Sequence, residues 1–206
     1  MSSQAKTNAK KLDRISRNLT SILRHRALEL GLTMDAAGYI PLTSILQLND
    51  FKGINLADIQ QLVAECKKQR FALQDREGDE WFIRANQGHT IQGVIDQDEL
   101  LTPITNPTDY PIVVHGTYKD AWTLIQESGG LNRMERNHIH FATGLPGADG
   151  VISGMRSSSQ VLLYINLAAA IADGIQFFIS QNGVILTPGD QTGTLPLKYI
   201  TRTVLC

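Results

Sequence analysis

The chain has 206 residues, 42% hydrophobic and 19% charged, with a formal net charge of −1 at pH 7, the proportions of a soluble globular protein with one large domain or two small ones. No apolar run reaches about 18 residues and the opening MSSQAKTNAKKLDR is polar and basic, so neither a membrane protein nor a secreted one is expected. Cys66 and Cys206 are too few for a disulfide framework; reduced thiols and a cytoplasmic or nuclear location are expected.

In chain order, Leu12, Ile15, Leu19, Ile22 and Leu23 recur on one stripe at about 100° per residue, the signature of an amphipathic helix. On that wheel Arg24 and His25 point away from the stripe while Arg26 falls inside it. Regular helix should therefore fray near Arg26 and stop at Gly31. Thr43 or Ser44 can cap a short helix through Leu48, and Asn55 caps LADIQQLVAECKKQ, whose Leu56, Ile59, Val63 and Cys66 share a face. RFALQ and EWFIRA flank the polar turn DREGD as a hairpin. Three helices and then a hairpin is the order of a winged helix.

From about Gln87 to Asp109 the text is loop-like. Beyond it come short strand-like runs (PIVVHG, HIHFA, VLLYINL, IQFFIS, GVILTPG), one convincing helix, KDAWTLIQESG, and glycine-rich joints. The fold class expected is α+β: a lobe over 1–95, a linker over 96–110 and a compact lobe of antiparallel or split sheets over 111–206. Residues 1–90 hold 13 Lys and Arg against 10 Asp and Glu, and 91–206 hold 6 against 10, a mild basic bias toward the first lobe that hints weakly at nucleic acid.

Arg24 and His25 project together from a helix. Cations at a helix end suit its negative pole, but guanidinium beside imidazole is also a combination for holding a phosphate and moving a proton. Arg84 shares a strand face with Phe82 at the exit of the hairpin, just before the polar, turn-prone ANQGH. VVHGT ends an apolar strand with His115, Gly116 and Thr117, where a glycine admits a ligand to the backbone between two hydrogen-bonding side chains. In RMERNHIHFA, strand alternation places Arg136, His138 and His140 on one face; no third ligand stands at a useful spacing, so no metal is expected. LPGADGVISGMRSSSQ, a glycine-rich loop ending in Arg156, lacks the context of a Rossmann or P-loop phosphate site.

Taken together, LTSILRHRALELGLTMDAAGYIPL, WFIRANQGHT, VVHGT, RNHIHFATGLPG, GVISGMRSS and FFISQNGVILTPG, in order from about Ser16 to Ile200, closely resemble the NAD-dependent tRNA 2′-phosphotransferase family. The resemblance implies an N-terminal winged-helix RNA-binding lobe and a C-terminal lobe of ADP-ribosyltransferase fold. It implies removal of an internal, splice-junction 2′-phosphate from tRNA. The phosphate attacks the nicotinamide ribose of NAD to form RNA-2′-phospho-ADP-ribose, and a ribose hydroxyl then releases 2′-OH RNA and a cyclic phosphate of ADP-ribose. The family's catalytic quartet carries over onto Arg24, His25, Arg84 and Arg136, with Arg133 and Arg156 close enough in sequence to contend for the last place. His115, Gly116 and Thr117 would hold the nicotinamide ribose and amide, and His140, Ser153, Gly154 and Arg156 the ADP part. NAD is then a co-substrate, no metal is required, and RNA is the partner of a monomer. An ADP-ribosyltransferase that modifies terminal phosphates of RNA or DNA, stopping after the first step, would use the same pocket. A winged-helix regulator would need a basic recognition helix, and LADIQQLVAECKKQ is basic only at its end.

Overall fold

The computed structural model describes residues 3–206 except 77, 79, 146, 149, 150 and 153, and the side chains from residue 7 onward. It is an α+β protein with several small antiparallel sheets, and the chain divides into two compact units, Met1–Leu100 and Leu101–Cys206.

The first unit starts with α1 (Ser3–Ser21), which runs directly into a π-helical turn, Ile22–Arg26. The stripe expected for this segment is buried: Ile15, Leu19, Ile22 and Leu23 are at most 1% exposed. Arg26, however, does not enter it. A π turn carries more than four residues per revolution, which rotates the residues beyond it, so Arg26 is exposed and Ala27 takes the buried place. The helix widens where fraying was expected, and Gly31 closes the next turn at φ +70°.

Next along the chain are β1 (Ile40–Pro41), α2 (Leu42–Leu46) and α3 (Leu56–Glu65). Pro41 precedes α2, so neither Thr43 nor Ser44 caps it, and the helix stops at Leu46. The Asn55 cap forms as expected: its side chain accepts from the Asp58 N–H while Asp58 accepts from the Asn55 N–H. Lys11 on α1 reaches the same Asp58 at 2.6 Å, which lowers the Asp58 pKa and ties α1 to α3. α3 is shorter than its pattern suggests, with Lys67 and Lys68 beyond its end. β2 (Phe71–Arg76) and β3 (Glu80–Ala85) form the hairpin, and β1 adds to the free side of β3. Ile40, Ile45, Phe51, Ile59 and Ile83 complete this core with the α1 stripe.

α4 (Gln97–Leu100) closes the first unit, and β4 (Thr102–Pro103) opens the second. Then come β5 (Val114–Thr117), α5 (Lys119–Glu127), β6 (Gly130–Asn132), β7 (Ile139–Phe141), β8 (Val161–Ile165), α6 (Leu167–Ala172), β9 (Phe178–Ile179), β10 (Ile185–Thr187), β11 (Thr194–Pro196) and β12 (Ile200–Leu205). They make sheets of order β4-β9-β10-β7, β11-β6 and β12-β8-β5, and a bridge between Val114 and Ala142 links the end of β7 to β5. Val113, Leu131, Phe141, Val161, Leu163, Ile185 and Leu195 form its core. Among the described residues no helix is long and apolar enough to cross a membrane.

Candidate active site

In the first unit, the π turn presents Arg24 half-buried and His25 exposed, and the segment after β3 packs against both. That segment is not the exposed loop its polarity suggests: Asn86, Gln87 and His89 are 3%, 8% and 3% exposed. Their burial is supported by long-range bonds, since the Asn86 N–H donates to the Arg70 carbonyl and its Nδ2 to the Gln69 carbonyl. Gly88 then reverses the chain at φ +88°, and a Cβ there would lie 3.3 Å from the Arg24 guanidinium. Two residues on, the Thr90 N–H donates to the Arg24 carbonyl at 2.9 Å and the Thr90 hydroxyl lies 3.0 Å from Nδ1 of His25. The loop therefore braces both members of the pair.

Arg84, on β3, donates from Nη1 to the Ala37 carbonyl at 3.0 Å and lies over the Tyr39 ring at 4.7 Å. Arg76 covers the same ring and that of Phe82, and is itself held by Asp35 at 2.7 Å. Stacking and a carbonyl bond together leave the planar Arg84 fork few orientations, a geometry suited to gripping two oxygens of an anion at once.

In the second unit, His115 sits on β5 between β8 and the end of β7. Its Nδ1–H donates to the His140 carbonyl at 2.8 Å, because a carbonyl can only accept. Desolvation by burial pushes the His115 pKa below its ordinary value, outweighing the opposing effect of that bond, so the ring is neutral and Nε2 is an acceptor. His140 thus contributes first through its backbone. A Cβ on Gly116 would collide with the Met155 side chain and lie 2.5 Å from the Ser159 hydroxyl; Gly154, at φ +106°, lies so close to β7 that a Cβ would be 2.7 Å from the Phe141 carbonyl. Thr117 is buried, and its carbonyl accepts from the Gln160 N–H. The loop after Gly154 is therefore laid against the HGT strand. Ser153 lies outside the described residues.

Arg136 is not on a strand: β7 begins only at Ile139, so the alternation that placed Arg136, His138 and His140 on one face does not apply. Arg136 stands in a turn opened by Met134, at φ +57°, and stabilised by the Met134 N–H donating to Asn132. Loss of solvation first, and the positive field of Arg156 second, lower its pKa; the guanidinium stays charged throughout the working range. Arg156 also donates to the Tyr118 hydroxyl at 3.4 Å, and the Tyr118 pKa is lowered first by the hydroxyl–hydroxyl hydrogen bond with Ser158 at 3.0 Å and then by Arg156. Arg133 is differently employed: its Nη1 donates to the Arg136 carbonyl at 2.7 Å and its N–H to the Gly193 carbonyl. His138 is 7% exposed, edge-on to Phe178, and its pKa falls to about 4, chiefly by desolvation and then by Arg133. That is a core histidine. Among the described residues no group of three or more His, Cys, Asp or Glu side chains could hold a metal.

Thr90, Gly88, Tyr39 and Tyr118 did not stand out in the sequence as part of this arrangement. The signal for the first two was present in ANQGHT, a polar run with an internal glycine leaving a strand, which calls for specific backbone partners when buried.

In the first unit a guanidinium beside a braced imidazole has the donors to hold a phosphate, and in the second the neutral His115 ring offers an acceptor to a hydroxyl. Residues 10–189 match the model of the RNA 2′-phosphotransferase, Tpt1/KptA family. Over 187 residues the chain is 48% identical to tRNA 2′-phosphotransferase 1 of Bos taurus, covering 90% of this chain and 72% of that protein. It is 44% identical to tRNA 2′-phosphotransferase 1 of Danio rerio, covering 92% and 84%, and 37% identical to tRNA 2′-phosphotransferase of Saccharomyces cerevisiae, covering 93% and 83%. The chain belongs to the RNA 2′-phosphotransferase family and is accordingly a transferase.

Proposed function

We propose that the protein removes an internal 2′-phosphate from spliced tRNA and transfers it to ADP-ribose supplied by NAD. The observation that carries this reading is the family match over residues 10–189, which includes every residue assigned a role in the reaction. In support, the first unit has the order of a winged helix, with a three-stranded sheet β1-β3-β2 beside α1, α2 and α3, and is read as the RNA lobe. The second unit, with its split antiparallel sheets, is read as an ADP-ribosyltransferase-like lobe.

The residues of the second unit suit a nucleotide sugar. His115 Nε2 is a neutral acceptor for a ribose hydroxyl, Gly116 has no side chain to crowd the strand, and Thr117, His140, Gly154 and Arg156 surround the same strand ends. Ser153 belongs to this set by the family resemblance. When bound, NAD would supply an electrophilic ribose carbon bearing a good leaving group, and a neighbouring hydroxyl. Everything else is work for the chain.

The attacking 2′-phosphate is already an anion, so orientation and charge control matter more than a strong base. By the family resemblance, Arg24, Arg84 and Arg136 are the residues that bind its oxygens through paired N–H donors and stabilise the charge that gathers at phosphorus. His25 delivers a proton to the RNA 2′ oxygen as its bond to phosphorus breaks; the attacking ribose hydroxyl gives one up, so the proton count closes. The choice of Arg136 as the third phosphate ligand follows the family resemblance; in its support, Arg133 bonds the backbone of the turn that carries Arg136 and Arg156 bonds Tyr118.

The deciding experiment incubates a short RNA bearing an internal 2′-phosphate with wild type and Arg24→Ala, with and without NAD. Phosphate loss that needs both NAD and Arg24, with a cyclic phosphate of ADP-ribose released, is the expected result. No NAD-dependent loss defeats the proposal. An ADP-ribosylated RNA that accumulates with wild type, and never releases the cyclic product, means an enzyme that stops after the first step.

A further inference from the structure

Resting on the role given to His25 above, we infer that Thr90 is the positioning residue that makes Nε2 the working nitrogen of that imidazole. His25 is exposed on the π turn, where an unsupported ring would sample several rotamers and both neutral tautomers. Thr90 removes that freedom from 65 residues away. Its hydroxyl is 3.0 Å from Nδ1 and 3.4 Å from the Arg24 carbonyl, and its own N–H already donates to that carbonyl at 2.9 Å. The oxygen is thus fixed relative to the backbone that carries the histidine.

Thr90 itself has little room to move. Its neighbours His89 and Ile91 are 3% and 6% exposed, so both flanks are anchored, and a β-branched side chain has few χ1 choices. The hydroxyl also suits both charge states of the ring. Toward the imidazolium, and toward the neutral ring left when Nε2 has given up its proton, it accepts from Nδ1–H and turns its own proton to the Arg24 carbonyl. In either state Nδ1 is taken and exchange with substrate falls to Nε2. Because Gly88 of the same loop lies against the Arg24 guanidinium, one segment sets the geometry of both residues of the pair.

The test compares Thr90→Val, which keeps the shape and the N–H but removes the hydroxyl, with Thr90→Ser, which restores it. In the full-length protein, Thr90→Val should lower kcat on the order of 10- to 100-fold, the usual scale for losing the partner that orients a functional histidine. KM for RNA and NAD should change little, and Thr90→Ser should recover most of the rate. In a His25→Ala background the valine substitution should cost nothing further, since residues acting through one another are not additive. Ring ¹⁵N spectra of His25 should show one dominant neutral tautomer in wild type and a mixture in Thr90→Val. An equal loss of rate in the His25→Ala background, or failure of serine to rescue a folded protein, overturns the inference. Should the wild type remove no 2′-phosphate, the reaction assigned above is wrong and the spectra decide alone: identical tautomers with and without the hydroxyl refute the role of Thr90.

Discussion

Nδ1 of His115 donates to the carbonyl oxygen of His140 at 2.8 Å, so a residue at a strand end has its tautomer set by the neighbouring sheet. Burial keeps the ring uncharged, and the only nitrogen left to meet a ligand is an acceptor. His115→Ala should raise KM for NAD on the order of 10-fold, the effect of one lost hydrogen bond of about 1.4 kcal/mol, with a smaller change in kcat. Any His115 transition in KM against pH should lie below the ordinary imidazole range, because burial lowers its pKa. An unchanged KM in the alanine variant removes His115 from the NAD site.

His138 makes a prediction about stability rather than turnover. Its pKa is about 4 in the folded protein against an ordinary 6.5, so between those values the unfolded chain binds the proton and the native one does not. Stability therefore rises with pH through this window, is free of the penalty above about pH 6.5, and loses on the order of 3 kcal/mol by the time pH reaches the folded value. Denaturant melts of wild type and His138→Gln across that range should show the slope in wild type and a reduced slope in the variant. Parallel curves would mean that His138 is solvated in the native state.

Much of the first unit was legible locally. The Asn55 cap and the hairpin announce themselves because each depends on residues within a few positions, and the α1 stripe because burial tracks the helical period. The π turn was not, since a one-residue change of phase at Arg26 is imposed by the packing around the turn. β12, ITRTVL, hid because an edge strand with few buried side chains shows little apolar alternation, and α6 because Asn166 caps it from within the apolar run VLLYINL. Of the candidate site, Arg24, His25 and Arg84 stand out as candidates from residue type and position. The burial of Asn86–His89 does not, because it rests on bonds to Gln69 and Arg70 and on a glycine turned against Arg24.

That glycine is itself testable. Gly88→Ala places a methyl 3.3 Å from the Arg24 guanidinium at φ +88°, a conformation that costs an L-residue about 1–2 kcal/mol. The variant should melt lower, and its kcat/KM should fall further than its folded fraction, because Arg24 must shift. Activity that merely tracks the folded fraction would show that Arg24 tolerates displacement.

The last prediction separates two arginines three residues apart. A lysine at Arg136 keeps the charge but replaces a planar fork with a point donor, so Arg136→Lys should lose about 2–4 kcal/mol of transition-state stabilisation, roughly 10²- to 10³-fold in kcat/KM, as should Arg24→Lys and Arg84→Lys. Arg133 donates to the carbonyl of Arg136 and its backbone N–H to that of Gly193, and neither bond requires a fork. Arg133→Lys can still reach a carbonyl through its ammonium, so its turnover should stay within a few-fold of wild type even if the turn loosens and the melting temperature drops. Reversed results, with Arg133→Lys inactive and Arg136→Lys near wild type, would give the phosphate to Arg133 and make Arg136 the residue that merely shapes the turn.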